Sequence, residues 1–456
     1  MYKFSKYKEQ YKLNLILAIP VVMSQLGHIV VQIADNAMVG QYGGENPLPL
    51  AAASFGGAVF MTLLVAAMGL TFGLTPVVGE LFAQHRCGKA AKYLQNGALL
   101  YTVVGVAVTA VQLLIIPLMY RMGQPQEVVD MAVPYYLTLV ATMLPTMIFF
   151  TIKQFLEGLG DTKTAMYCVI ISNVVNIVLN YLLIYGTFGF PELGVLGAGI
   201  ATMISKILMM ILLVIYFFKG NKFDEYTSRF ARVNFSKPHI LKLINLGTPI
   251  SAQIFMEIST FTMTGVMMGW IGTNAMSANQ IGVSMGSAAF MIALAIGTAT
   301  TIRVSHCYGA RNPPHEMKLA SSAAWHLGFA WTVLTAILFC SLSSIIPLIF
   351  TTNDEVIHIA SSLLVLIGIY QIPDGIQCVA VGVLRGMQDV KTIIPIAFVS
   401  YWLLNLPVGY ICSFVFGWGA PGLYIGYIFG LSMASILLIW RIKIGQKRLM
   451  REGVKR

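Results

Sequence analysis

Residues 94–119 read LQNGALLYTVVGVAVTAVQLLIIPLM. This mostly apolar block is long enough for the ~20 residues that a helix needs to cross a bilayer. Residues 50–76 and 419–440 form two more blocks of the same kind. Strands of a membrane barrel would instead alternate in polarity over ~10 residues, and these blocks do not. Of the 456 residues, 57% are hydrophobic and 10% charged, whereas an ordinary soluble domain carries roughly 25% charged residues. So little charge cannot cover a water-facing surface, which excludes a soluble enzyme.

Outward from that block, apolar runs and loop signals predict twelve helices. They fall near 13–40, 50–75, 94–119, 131–156, 164–186, 194–218, 243–271, 276–301, 318–350, 357–383, 393–416 and 419–440. The expected fold class is all-α integral membrane. The net charge of +11 comes from 29 Lys+Arg against 18 Asp+Glu. These basic residues sit between the apolar blocks and form no stripe interleaved with aromatics, so they point to a bilayer and not to nucleic acid. The start, the even-numbered loops and the tail at 441–456 hold nearly all of them. The odd-numbered loops hold Arg121 and the acids Glu45, Glu127, Asp130, Glu192, Asp354 and Glu355. By the positive-inside rule both termini are expected in the cytoplasm. Lys3, Lys6, Lys8 and Lys12 precede a long span with no Ala-x-Ala-like cleavage site, which reads as a retained first helix. Cys87 and Cys307 lie in basic loops and Cys168, Cys340, Cys378 and Cys412 in apolar blocks, so no disulfide is expected.

An internal repeat organises the chain. Residues 156–164, LEGLGDTKT, follow the fourth helix, and residues 384–392, LRGMQDVKT, follow the tenth, 228 positions later. Near that offset Ala18-Ile19-Pro20 matches Gly247-Thr248-Pro249, Met143-Leu144-Pro145 matches Gln371-Ile372-Pro373, and Gly40 matches Gly269. The expected organisation is an N-terminal six-helix half at 1–218, a cytoplasmic linker at 219–242, a C-terminal six-helix half at 243–440 and a basic tail at 441–456. Because six is even, both halves enter the membrane in the same sense. A pseudo-two-fold along the membrane normal and a central cleft suited to alternating access are then expected.

No phosphate loop ending in Gly-Lys-Ser/Thr, no His-Glu-x-x-His, no Cys-x-x-Cys and no Gly-x-Ser-x-Gly occurs in the sequence, so no enzyme is predicted. Energy for transport must come from an ion gradient or a partner subunit. An Asp at the centre of a membrane helix costs about 2.5 to 3.5 kcal/mol on insertion scales, so each such acid requires a reason. Three qualify: Asp35, Glu257 and Asp374. Each reads as a cation or proton site, with a solvated acid near a helix end as the alternative. Pro373 frees the carbonyl one turn earlier, a possible oxygen ligand for Na⁺. Tyr370 is four residues before Asp374 and shares its face, either in the site or as an ordinary packing aromatic.

The ordered set of motifs resembles the multidrug and toxic compound extrusion transporters, in particular the NorM-type branch. The set comprises Leu17-Ala18-Ile19-Pro20 with Asp35 and Gly40, the loops at 158–162 and 386–391, and the Gly-rich run at 194–202. The resemblance covers nearly the whole chain. It implies a cation site made by Glu257, Tyr370 and Asp374, with Phe290 near it as an aromatic partner and Glu257 and Asp374 as Na⁺ ligands. It also implies a polar cluster of Asp35, Asn176, Asn180 and Thr202. Asn176 and Asn180 share one helix face, and interhelical hydrogen bonding is the alternative role for these three polar residues. Lys206, one turn beyond Thr202, departs from the family pattern; it either neutralises Asp35 or snorkels toward the cytoplasm. Met256, Met263, Met267 and Met268 suit a site for varied flat cations, or lipid-facing packing.

The expected function is therefore an antiporter of a bacterial inner membrane that exports hydrophobic cationic drugs while Na⁺ or H⁺ enters. It needs no cofactor beyond the transported ion and acts as a monomer. A flippase for lipid-linked sugars is the alternative. Such a protein would line its cleft with several Arg for pyrophosphate, and Arg is nearly absent from the predicted spans.

Overall fold

The computed structural model describes residues 4–44, 46, 48–230, 235–310 and 314–454. Lys3, Glu45, positions 231–234 of the expected linker and positions 455–456 of the tail lie outside the described residues.

Among the described residues twelve helices are long and apolar enough to cross a membrane. In chain order they are α1 Tyr7–Gly43, α2 Leu48–Ala83, α3 Cys87–Met119, α4 Gln126–Gly158, α5 Lys163–Tyr185, α6 Gly194–Lys219, α7 Lys237–Ile271, α8 Thr273–Gly309, α9 Glu316–Ser341, α10 Asp354–Gly386, α11 Ile393–Val415 and α12 Ala420–Arg448. A short helix at Asp224–Phe230 lies between α6 and α7.

The number and order of spans agree with the sequence reading, and the ends differ where hydropathy and helicity diverge. α8 and α10 run past the apolar limits at 301 and 383, which brings Arg303 and Arg385 inside helices. α9 stops at Ser341, well short of 350, and Ile346–Ile349 forms a separate 3₁₀ turn. Pro347 has no N–H to offer the Ser343 carbonyl, so the α-helical ladder is interrupted in this stretch. α4 is broken at Thr142, between Gln126–Ala141 and Met143–Gly158. Pro145 has no N–H to offer the Ala141 carbonyl, so the ladder cannot close there. α11 contains a π-helical stretch at Phe398–Asn405.

The chain forms two compact units. One is Met23–Ser251; the other joins Met1–Val22 to Ala252–Arg456. In the first, Ser251 at the end of the leading part of α7 donates to the Ala66 carbonyl of α2 at 2.5 Å, and a Cβ on Gly69 would lie 2.6 Å from Ser251 Cα. In the second, Leu17 and Ala18 from the leading part of α1 pack against Ala299 and Ile302 of α8.

Each unit repeats the same joint. At the end of α4, Asp161 N–H bonds the Leu156 carbonyl at 2.8 Å and Gly160 N–H bonds Glu157 at 2.9 Å. At the end of α10, Asp389 N–H bonds Leu384 at 2.9 Å and Gln388 N–H bonds Arg385 at 2.9 Å. Both are Schellman closures, which place one residue in the left-handed region. Gly160 takes that place at φ +86° and Gln388 at φ +59°. A Cβ on Gly158 would meet Val78 Cβ at 2.7 Å, and one on Gly386 would meet Val304 Cβ at 2.7 Å. Thr75 donates to the Gln154 carbonyl at 3.1 Å and Thr301 to the Gly382 carbonyl at 3.2 Å. The aspartates then pair with cations, Asp161 with Lys222 at 2.6 Å and Asp389 with Arg441 at 2.7 Å.

Candidate functional site

In the unit Met23–Ser251, polar side chains from α1, α5 and α6 meet between otherwise apolar helix faces. Asn180 donates to Asp35, and its amide also donates to Asn176 Oδ1 at 3.1 Å. Asn176 in turn donates to Ser205 Oγ at 3.3 Å and to Thr202 Oγ1 at 3.4 Å. Ser172 closes the row with a 2.6 Å bond to the Ser205 carbonyl. Asn176 and Asn180 are buried, as the i, i+4 spacing on one face requires. Lys206, one turn beyond Thr202 on α6, is within electrostatic reach of Asp35.

Sequence reasoning missed several members of this cluster. His28 lies in the field of Lys206 and Lys153, and Tyr135 in that of Asp35. Lys153 pairs with buried Glu157 at 3.6 Å on α4. The i, i+4 Lys–Glu spacing inside an apolar run was the signal available for that pair.

In the other unit the acids sit on α7 and α10. Glu257 and Asp374 are 9% and 5% exposed, and their charges act on one another. Glu257 accepts a bond from Gln253 Nε2 at 3.2 Å and another from the Tyr401 hydroxyl. Gln377 donates to that same hydroxyl. Arg385 donates to Gln253 Oε1 at 2.9 Å, and its charge reaches Glu257. The Pro373 carbonyl, beside Asp374, accepts from Ser435 at 2.6 Å.

Tyr370 is 4% exposed and stacks into an aromatic group, 5.6 Å from Tyr427 and 6.1 Å from Tyr424. Its hydroxyl would lie 2.9 Å from a Cβ on Gly286, and Gln371 beside it donates to the Gly286 carbonyl at 3.1 Å. Gly286 therefore lets α10 approach α8 closely. Phe290 is half-buried one turn further along α8. Tyr424 and Tyr427 donate to Asn279 at 2.9 Å and to Thr264 at 2.9 Å. Gln253, Gln377, Tyr401, Tyr424, Tyr427 and Arg385 were not singled out from sequence. A glutamine inside an apolar span needs a partner and was the readable sign for two of them.

Ionisable groups inside membrane helices are unfavourable and mark pathways for ions and solutes. Their recurrence in both units puts the chain in the class of polytopic membrane transporters. A family profile described as MatE matches residues 20–182 and again 249–411. Multidrug resistance protein NorM of Photobacterium profundum is 31% identical over 96% of this chain and 96% of its own length. The protein of that name from Vibrio vulnificus is 30% identical over 95% of each. The chain belongs to the MatE family, the multidrug and toxic compound extrusion family that its loop motifs resemble.

Solved structures agree in fold. The crystal structure of a eukaryotic MATE transporter superposes with a TM-score of 0.85 at 19% identity, covering 98% of this chain and 100% of the other. An outward-facing multidrug resistance MATE transporter gives 0.86 at 22%, covering 97% of each.

Proposed function

We propose that the protein is a multidrug efflux antiporter of a bacterial inner membrane that couples export of hydrophobic cations to entry of Na⁺ or H⁺ by alternating access. The observation that carries this reading is the buried pair Glu257 and Asp374, set among amides and phenols beside one guanidinium, Arg385. With both acids ionised the group has a formal charge of minus one, which one proton or one monovalent cation balances. Amide and phenol oxygens from Gln253, Gln371, Gln377 and Tyr401 are hard ligands of the kind Na⁺ accepts.

Lys206 acts electrostatically on Asp35 and formally balances it, so this group takes up a cation or proton only with a change in that balance. An ion and a drug that favour different conformations of the transporter then give exchange, because each shifts the equilibrium by its differential affinity. The relatives' names as multidrug resistance proteins support the drug side. Arginine is scarce in the membrane helices, and Arg385 is set within the field of Glu257, which weighs against the flippase alternative.

Purified protein in sealed vesicles tests the reading. A fluorescent hydrophobic cation should move out only when a Na⁺ or H⁺ gradient is imposed, each gradient being applied separately. Transport that needs ATP, or runs equally with no gradient, overturns it.

A further inference from the structure

Away from the buried acids, the surface of the unit Met23–Ser251 holds a cavity of about 620 Å³. Its lining is His85, Arg86, Cys87, Gly88, Lys89, Lys92 and Arg229, four of them Lys or Arg. The turn that begins it is another Schellman closure. Arg86 N–H bonds the Leu81 carbonyl at 2.9 Å and His85 N–H bonds Phe82 at 2.9 Å, with His85 left-handed at φ +54°. That closure fixes Arg86 at the start of α3, where no side chain caps the helix.

Arg229 reaches the same spot from the short helix Asp224–Phe230. That helix is fastened to α3 on both sides. Cys87 Sγ contacts the Tyr226 hydroxyl at 3.5 Å, and Gln95 Nε2 donates to the Arg229 carbonyl at 3.1 Å. The Arg229 guanidinium lies where a Cβ on Gly88 would stand, 2.7 Å from Nη1. Four cations and the positive end of a 33-residue helix thus converge, an arrangement that repels itself. The carboxylate that answers it is Glu225, 3.8 Å from Arg229 and more than half exposed. Among the described residues no carboxylate pairs with Arg86, Lys89 or Lys92.

An anion removes the repulsion, and phosphate suits it best, because guanidinium groups bind phosphate oxygens with paired bonds and helix N-termini add N–H donors. We propose that this cavity binds the phosphate headgroup of an anionic membrane lipid. The lipid source follows from position. The cavity lies at the first turn of a membrane-spanning helix, in a basic loop of the kind that faces an anionic leaflet. Phe82, exposed at the end of α2 and bonded through its carbonyl to His85 N–H, supplies apolar surface there.

The full chain, purified in detergent, tests this by native mass spectrometry and thermal unfolding with added phosphatidylglycerol, phosphatidylcholine or inorganic phosphate. Phosphatidylglycerol should be retained and should raise the unfolding temperature, and phosphatidylcholine should not. The variant with Arg86→Gln, Lys89→Gln, Lys92→Gln and Arg229→Gln should bind phosphatidylglycerol at least a hundredfold more weakly, since four basic residues at ~1 kcal/mol each near the headgroups approach a thousandfold. A control with Lys318→Gln, Lys391→Gln, Lys443→Gln and Lys447→Gln removes as many charges from exposed sites elsewhere and should keep wild-type affinity. Gly88→Ala keeps every charge and displaces only the Arg229 guanidinium, and should weaken binding severalfold. Equal loss in the control variant reduces the effect to general charge and overturns the site. Stabilisation by inorganic phosphate without selective retention of phosphatidylglycerol overturns the lipid as its ligand.

Discussion

Asn180 donates its side-chain amide to Asp35 and to Asn176 at once, so that one residue of α5 fixes the position of the acid on α1. A hydrogen bond between membrane helices is worth on the order of 1 kcal/mol. Asn180→Ala should therefore cost about 1 kcal/mol of stability and lower drug resistance more than stability alone explains. Asp35→Asn should abolish resistance at equal expression. Wild-type resistance in Asp35→Asn removes the ion-carrying role from that acid.

Glu257 and Asp374 share one field, so they should be required together. Glu257→Gln or Asp374→Asn should each eliminate gradient-driven efflux in vesicles while the protein still elutes as a folded monodisperse species. Tyr401→Phe removes one donor to Glu257 and should leave efflux reduced but measurable. If either acid variant transports at the wild-type rate, the coupling site lies elsewhere.

Lys206 repels any cation that approaches Asp35. Removing a like charge that acts on the site without touching it is worth on the order of 1 kcal/mol. Lys206→Met should therefore lower the half-saturating concentration of the coupling cation at least severalfold, read from the cation dependence of efflux. An unchanged dependence shows that Lys206 acts only by packing or by reaching toward the interface.

The glycine joints give a stability prediction that does not depend on transport. Gly158→Ala and Gly386→Ala each force a Cβ to within 2.7 Å of a valine Cβ and should destabilise by about 1 to 3 kcal/mol, seen as a lower unfolding temperature. Gln388 holds a left-handed conformation that glycine adopts without strain, so Gln388→Gly should raise stability by up to about 1 kcal/mol.

Topology is open to chemical labelling. A cysteine at Ser228, which is exposed, should stay unlabelled by an impermeant maleimide in intact cells and react once the cells are permeabilised. Labelling from outside inverts the orientation read from the basic loops.

The twelve helices were legible because length and apolarity alone decide what crosses a bilayer, and the loop at 156–164 announced its copy at 384–392. Asp35, Glu257 and Asp374 were legible because each breaks an apolar run. Their partners were less so. Tyr401, Tyr424 and Tyr427 read as ordinary aromatics, and only packing shows which phenol meets Glu257 or Asn279. Helix ends were misread at Arg303 and Arg385, since hydropathy stops at the first charge and the backbone hydrogen bonds do not. The break at Thr142 had a sequence sign in Pro145, but a comparable proline at 373 leaves α10 unbroken. A proline by itself therefore does not say where a helix divides.

The opening stretch of α1 is counted with the body formed by residues 252–456, and the opening stretch of α7 with the body formed by residues 23–251. Each six-helix copy has thus lent its leading segment to the other, at the matched prolines Pro20 and Pro249. This has a genetic consequence. A gene divided at the linker would yield two products that each lack a piece encoded by the other. Co-expression of the two products would be needed to bring both pieces back to the bodies they pack in.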